Sequence, residues 1–213
     1  MTRTSSYLAL AIVFALSFSA YGQTYTNVSG LDLDFTNIVE TSGGSLFGQP
    51  NAIGNDLNFP NTAFNAESVS GGVDFLNGMV ELNASSNTGM TFSSVSLDEF
   101  GVYFTSPDAD SLASVDGFLT VVTPDGSYSD SFSLDFENGE VGNWTGQAFV
   151  SFPETTTADV FIHNILFADS DADGASSISK RDVTVTFGTA IPEPSTFGLL
   201  LLGVTGLASR RRR

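Results

Sequence analysis

Apolar and polar residues alternate with period two along most of the chain. Leu31, Leu33 and Phe35 stand between Asp32 and Asp34, which puts apolar groups on one face and acids on the other. The stretches MVELNA, MTFSSVSL and FGVYF repeat that pattern. Two further arms, Phe118 to Val122 and Tyr128 to Phe136, flank Pro124-Asp125-Gly126 and predict a hairpin. In its second arm Tyr128, Phe132, Leu134 and Phe136 point one way, and Asp130 interrupts the row near the turn. Trp144 opens another alternating run, WTGQAFVSF. VFIHNILF follows and is apolar at nearly every position, which suits a strand buried on both faces, and VTVTF comes last. Residues 42–65 are rich in Gly, Asn and Pro with scattered Phe and Leu. They predict long loops held down by single aromatics, with at most one short strand. No stretch within 23–190 sustains a helical period with caps.

Short strands separated by turn residues every ten or so positions predict an all-β fold. The expected form is an antiparallel two-sheet sandwich of jelly-roll type, in one domain over residues 23–190. An N-terminal signal-peptide helix and a short C-terminal transmembrane helix are expected to flank it. The start, MTRTSSYLALAIVFALSFSAYGQ, orders a basic Arg3, an apolar run from Tyr7 to Phe18 and small residues at Ala20 and Gly22. That order predicts a signal peptide over 1–22, cut by signal peptidase between Gly22 and Gln23, rather than a short buried helix.

Charge narrows the partners. The 213 residues carry 24 acids, seven Lys and Arg and a formal net charge of −17. All acids but Glu193 fall in 23–190, whereas only Lys180 and Arg181 among the bases do, so the body stands near roughly −21. Such a surface excludes nucleic acid, whose phosphates need a basic face, and disfavours unaided adsorption to anionic lipid. Cys is absent, so an exported body must fold without disulfides.

Candidate chemistry is sparse. His163 is the sole histidine. It sits in an apolar strand, where a hydrogen-bonded strand residue is a simpler reading than a Ser-His-Asp triad. Asp98 and Glu99 are adjacent, and neighbours on a strand face opposite ways, which is wrong for a shared carboxylate site. A glycan hydrolase or lyase has only carboxylate abundance behind it. Lys180 and Arg181 beside the acidic stretch read as local charge neutralisation at the surface. The sharpest local motif is Asp169-Ser170-Asp171-Ala172-Asp173-Gly174. It resembles the front half of an EF-hand or dockerin calcium loop, with Asp at alternate positions and Gly at the sixth. The twelfth position is Lys180 rather than a bidentate acid, and a strand follows. A calcium loop completed by Asp182 folding back and a solvated acidic turn are the two readings. Calcium is the one cofactor the sequence points to. Trp144, with Tyr103 and Tyr128, is the available platform for a glycan ring, unless these aromatics belong to the core.

The C-terminus breaks with the body. Pro192-Glu193-Pro194-Ser195-Thr196 precedes an apolar run from Phe197 to Ala208, and Arg210, Arg211, Arg212 and Arg213 close the chain. Twelve residues as a helix span about 18 Å against roughly 30 Å of hydrocarbon. Pro194 in the first turn and snorkelling arginines lengthen that reach, and the arginines hold the tail in the cytoplasm. In order, spacing and position the segment 191–213 resembles the PEP-CTERM sorting signal. The resemblance implies an exopolysaccharide-producing Gram-negative bacterium. It also implies recognition and cutting near Pro-Glu-Pro by exosortase, a membrane-embedded cysteine protease. The protein would be anchored transiently in the inner membrane, then delivered to the cell surface or extracellular matrix. It transfers no activity to the body. The expected function is a non-enzymatic surface or matrix protein associated with exopolysaccharide or biofilm. The alternative is a calcium-stabilised carbohydrate-binding module.

Overall fold

The computed structural model describes residues 22–190 apart from 43, 61, 108, 109 and 138. The expected signal-peptide helix, transmembrane helix, Pro-Glu-Pro motif and arginine tail lie outside the described residues. Among those described there is no helix. The strands are β1 (Gln23–Thr24), β2 (Val28–Ser29), β3 (Leu33–Glu40), β4 (Asn51–Ile53), β5 (Asp56–Phe59), β6 (Asn65–Val69) and β7 (Val73–Ser86). They continue with β8 (Thr91–Thr105), β9 (Leu112–Thr123), β10 (Gly126–Glu137), β11 (Val141–Thr155), β12 (Thr157–Asp169) and β13 (Ala175–Ala190).

Every pairing is antiparallel, and the strands form two sheets. Sheet A runs β1-β3-β7-β12-β9-β10, with β2 also on β3. Sheet B runs β11-β8-β13-β5-β4, with β6 also on β13. The two stack as a sandwich because each strand carries one apolar row. Leu82, Leu119 and Ile162 from sheet A share one core with Val95, Leu97 and Val185 from sheet B, all fully buried. The hairpin forms as expected, with Thr123 paired to Gly126 across a turn of Pro124 and Asp125. Strand β12 lies mid-sheet between β7 and β9. Its inward row is fully buried, but Phe161, His163 and Ile165 on the other face are only half-buried, because no third layer covers them.

Bulky rings fill the seams where glycine leaves room. Phe132 of β10 is seated over Gly117 of β9 and Gly146 of β11. A Cβ at those glycines would lie 2.2 and 2.0 Å from the ring, so the two edge strands close around this one side chain. Residues 42–65 differ from expectation in carrying a two-strand hairpin, β4–β5, rather than one strand. The single aromatics do hold it: Phe47 makes edge-to-face contacts with Phe59 at 5.6 Å and Phe64 at 4.9 Å. The entry to this region is fixed by Glu40, which is fully buried. Its carboxylate accepts hydrogen bonds from the Tyr25 and Ser42 hydroxyls and from the Leu46 and Phe47 amides, the last two at 2.6 and 3.2 Å. Burial, then the bond to Glu40, push the Tyr25 hydroxyl up to about 12.

Candidate functional site

The sandwich has an outer face on sheet A that is not wholly polar. Registering β9, β12 and β7 places Phe118 opposite His163, and His163 opposite Met79. The Phe118 and His163 rings lie stacked, with centroids 5.4 Å apart and an interplanar angle of 24°. His163 Nε2 is 2.6 Å from Asn77 Oδ1 on β7, so its proton sits on Nε2 and is donated to that amide. Burial lowers the imidazole pKa, opposed by the charge of Asp116 and reinforced by that of Lys180, and the ring stays neutral at pH 7. The row beside it carries Asp116 and Asn77 on either side of Ile165. The row after that is aromatic again, with Phe167 opposite Phe75. Phe75 is 54% exposed and Phe118 39%. Rows two residues apart are spaced by about 7 Å, so flat apolar surfaces alternate with hydrogen-bonding groups across the face.

The residues expected to form a platform point elsewhere. Trp144 is 3% exposed and belongs to the core. It shares the inward row of β11 with Gly146, Ala148 and Val150, and lies against Gly101, whose missing Cβ would be 2.4 Å from the indole. The glycan-platform reading of Trp144 is therefore corrected: the ring cannot stack on anything in solvent. Tyr103 stacks on Phe136 and Tyr128 packs towards Phe152, both against the core. The aromatics that do face solvent on sheet A are phenylalanines at positions alternation marks as outward, and that parity was the available signal.

The aspartates of the acidic turn are not gathered. Asp171 and Asp173 are exposed at the β12–β13 turn, which is closed by the Gly174 amide on the Asp171 carbonyl at 3.1 Å. Asp169 ends β12. Asp182 does not fold back on the turn: it sits on β13 opposite Phe100, seven residues past the strand's start, roughly 23 Å along an extended chain. There it lines a shallow depression on sheet B with Asp98, Thr145 and Gln147. Among the described residues no group of three or more His, Asp or Glu is arranged to hold a metal ion.

Asp98 and Glu99 do face opposite ways, Asp98 outward and Glu99 into the core. The surface reading of Lys180 is overturned. Lys180 is 2% exposed and forms an ion pair with Glu99, which is 3% exposed. Asn164 of sheet A, fully buried, donates its Nδ2 to Glu99 Oε1 at 2.7 Å. The Lys180 Nζ also lies 4.9 Å from the Phe64 ring centroid. Burial pushes the ammonium down to about 8, against the pull of Glu99. Arg181 stays at the surface. Sequence reasoning missed this cluster, although all three side chains stand at inward positions of their strands.

Comparison with known proteins places a sorting address after this body. The model of the PEP-CTERM protein-sorting motif matches residues 190–213. The chain carries that motif, which marks an exported protein of Gram-negative bacteria with a C-terminal sorting signal and implies processing by exosortase. No curated protein sequence matches the chain. Among solved structures, one concerning the promiscuous specificity of carbohydrate-binding modules from the β-sandwich superfamily aligns at 14% identity. It covers 78% of this chain and 56% of that one, with a TM-score of 0.21. The enzymatically active domain of tailspike protein 4 of bacteriophage CBA120 aligns at 10% identity, covering 68% of this chain and 24% of that one, also at 0.21. The chain spans little more than half of the first and about a quarter of the second.

Proposed function

We propose that this exported exosortase substrate is a non-enzymatic surface or matrix protein whose sandwich binds neutral polysaccharide through the outer face of sheet A. The observation that carries the reading is the alternation on that face of exposed rings with hydrogen-bonding rows. Phe118 on His163, and Phe75 beside Phe167, offer apolar planes. Asn77 and Asp116 lie between them and offer amide and carboxylate groups to hydroxyls. Sugar rings have one such apolar face and a rim of hydroxyls, so a flat sheet with this pattern matches them without needing a deep pocket. Net charge selects among glycans. A body near roughly −21 repels uronic-acid and sulfated polymers and leaves uncharged ones.

The reading assigns no catalytic residue. His163 has its Nε2 committed to Asn77 and its ring to Phe118. Delivery by exosortase would set the body on the cell surface or in the matrix, where exopolysaccharide is the abundant ligand.

Affinity electrophoresis of the full-length protein through gels containing neutral or acidic polysaccharides tests the proposal. Retardation is expected in at least one neutral gel. It should weaken in the double variant Phe75→Ala/Phe118→Ala. Equal mobility of the wild-type protein in every gel would overturn the reading.

A further inference from the structure

The core of the sandwich holds one costly cluster that the proposed surface function does not use. Glu99 on β8 reaches both partners at once: Oε1 takes the Asn164 amide and Oε2 the Lys180 ammonium. All three side chains are buried. The contact to Lys180 is an ion pair rather than a well-angled hydrogen bond, and Lys180 Nζ, Glu99 Oε2 and Asn164 Oδ1 have no hydrogen-bond partner among the described residues. Buried charges are tolerated when every lone pair and proton is matched, and here they are not. As a stabilising device the cluster is poor. As a set of reactants it is complete: an amine, an amide carbonyl and a carboxyl able to move protons between them in a water-excluded space.

We infer that Lys180 and Asn164 become joined by an intramolecular isopeptide bond, formed by the folded chain itself, with Glu99 as catalytic acid and base. The ammonium first passes a proton to the Glu99 carboxylate, leaving a neutral amine and a carboxylic acid. Desolvation favours that transfer, because it disfavours both charges and has already pushed Lys180 down to about 8. Rotation of the Asn164 amide about its last bond exchanges Oδ1 and Nδ2, so the protonated Glu99 donates to the carbonyl oxygen. The Nζ lone pair forms a bond to Cγ while the carbonyl π pair moves to oxygen, which takes the Glu99 proton. Glu99 then removes a proton from Nζ and supplies one to Nδ2. The Cγ–Nδ2 bond breaks, ammonia leaves, and the oxygen returns its proton to Glu99 as the carbonyl re-forms. The sum converts an ammonium, a carboxylate and a primary amide into a secondary amide, a carboxylic acid and ammonia. No oxidant or cofactor is needed, and both buried charges disappear.

The bond would tie β12 of sheet A to β13 of sheet B through the core. A chain without cysteine would thereby gain a covalent staple between its two sheets.

Peptide mapping of the full-length protein tests this. Cleavage before aspartate, after denaturation, cuts the chain between the two residues at Asp169, Asp171 and Asp173. The wild-type digest is expected to contain peptides 159–168 and 173–181 joined, lighter than their sum by one ammonia. The Glu99→Gln variant should yield the two peptides separately. Separate peptides from folded wild-type protein held at neutral pH would overturn the inference. A linked Glu99→Gln digest would overturn the role of Glu99. If Glu99→Gln does not fold, the wild-type digest decides alone.

Discussion

His163 and Asn164 are neighbours on one strand with opposite surroundings. His163 faces out of sheet A, neutral, stacked on Phe118 and bonded to Asn77. Asn164 faces in, fully buried, bonded to a carboxylate that also holds a lysine. The pleat separates them: successive side chains leave a strand on opposite sides. One strand thus presents the face proposed for glycan contact and, on its other side, the interior cluster proposed to react, without either intruding on the other. Asn164 is a polar residue in an apolar row, an exception to the alternation that marks a place where something beyond packing is under way.

Substitution separates the two sides most sharply. Made in an Asn164→Ala chain, where no amide can form, Glu99→Ala leaves Lys180 buried without its counter-charge and should lower stability by about 3–5 kcal/mol in chemical denaturation. His163→Ala removes a half-exposed ring and should cost no more than about 1 kcal/mol. Equal costs would erase the distinction.

The pH dependence comes next. In an Asn164→Ala chain, which cannot form the amide, Lys180 keeps a folded pKa lowered to about 8 while the unfolded lysine stays at 10.5. Between these values the unfolded state binds more protons, so stability should rise as pH rises from about 8. Between 10.0 and 10.5, the unfolded values of Tyr25 and Lys180, the sign reverses. Tyr25, held up to about 12, keeps its proton in the fold after the unfolded chain has lost it, and stability should fall. Wild-type protein with Lys180 acylated should lack the first rise and keep the later fall. Melting temperature against pH for both chains checks this.

On the outward side, Phe75→Ala/Phe118→Ala should reduce affinity for a neutral polysaccharide by about tenfold, or about 1.4 kcal/mol, with little change in melting temperature. A smaller effect concerns Trp144. Its indole is buried, so saturating polysaccharide should leave its fluorescence unchanged. Quenching on binding would return the contact to the β11 side of the molecule. The smallest expected effect is that of a chelator. Asp182 lies far along β13 from Asp171 and Asp173, so the melting temperature should not move between millimolar calcium and excess chelator.

Much of the fold was legible because period-two alternation is a local signal. The hairpin of β9 and β10, the exposed Asp130 near its turn and the inward row of β10 follow from residues a few positions apart. Asp130 shows what alternation alone could not give: its carboxylate accepts the Phe149 amide of β11 at 2.8 Å, a contact made only when the two sheets stack. Trp144 was misassigned despite its parity with Ala148 and Val150, because composition made a lone tryptophan look like a binding residue. Lys180 has the parity of Ile178, Glu99 that of Val95 and Leu97, and Asn164 that of Ile162 and Leu166. Each could have been placed inside, yet their meeting spans 81 positions of sequence and two sheets. Charge content argues against burial, and only the third dimension supplies the partner that offsets it.

The surface reading has a built-in reporter, since His163 is the chain's one histidine. Its imidazole carbon-bound proton signals can be followed by NMR as a neutral polysaccharide that binds the full-length protein is added. If the outer face of sheet A is the contact surface, those signals shift and saturate with the same midpoint as binding. Binding that leaves them unmoved would contradict the account.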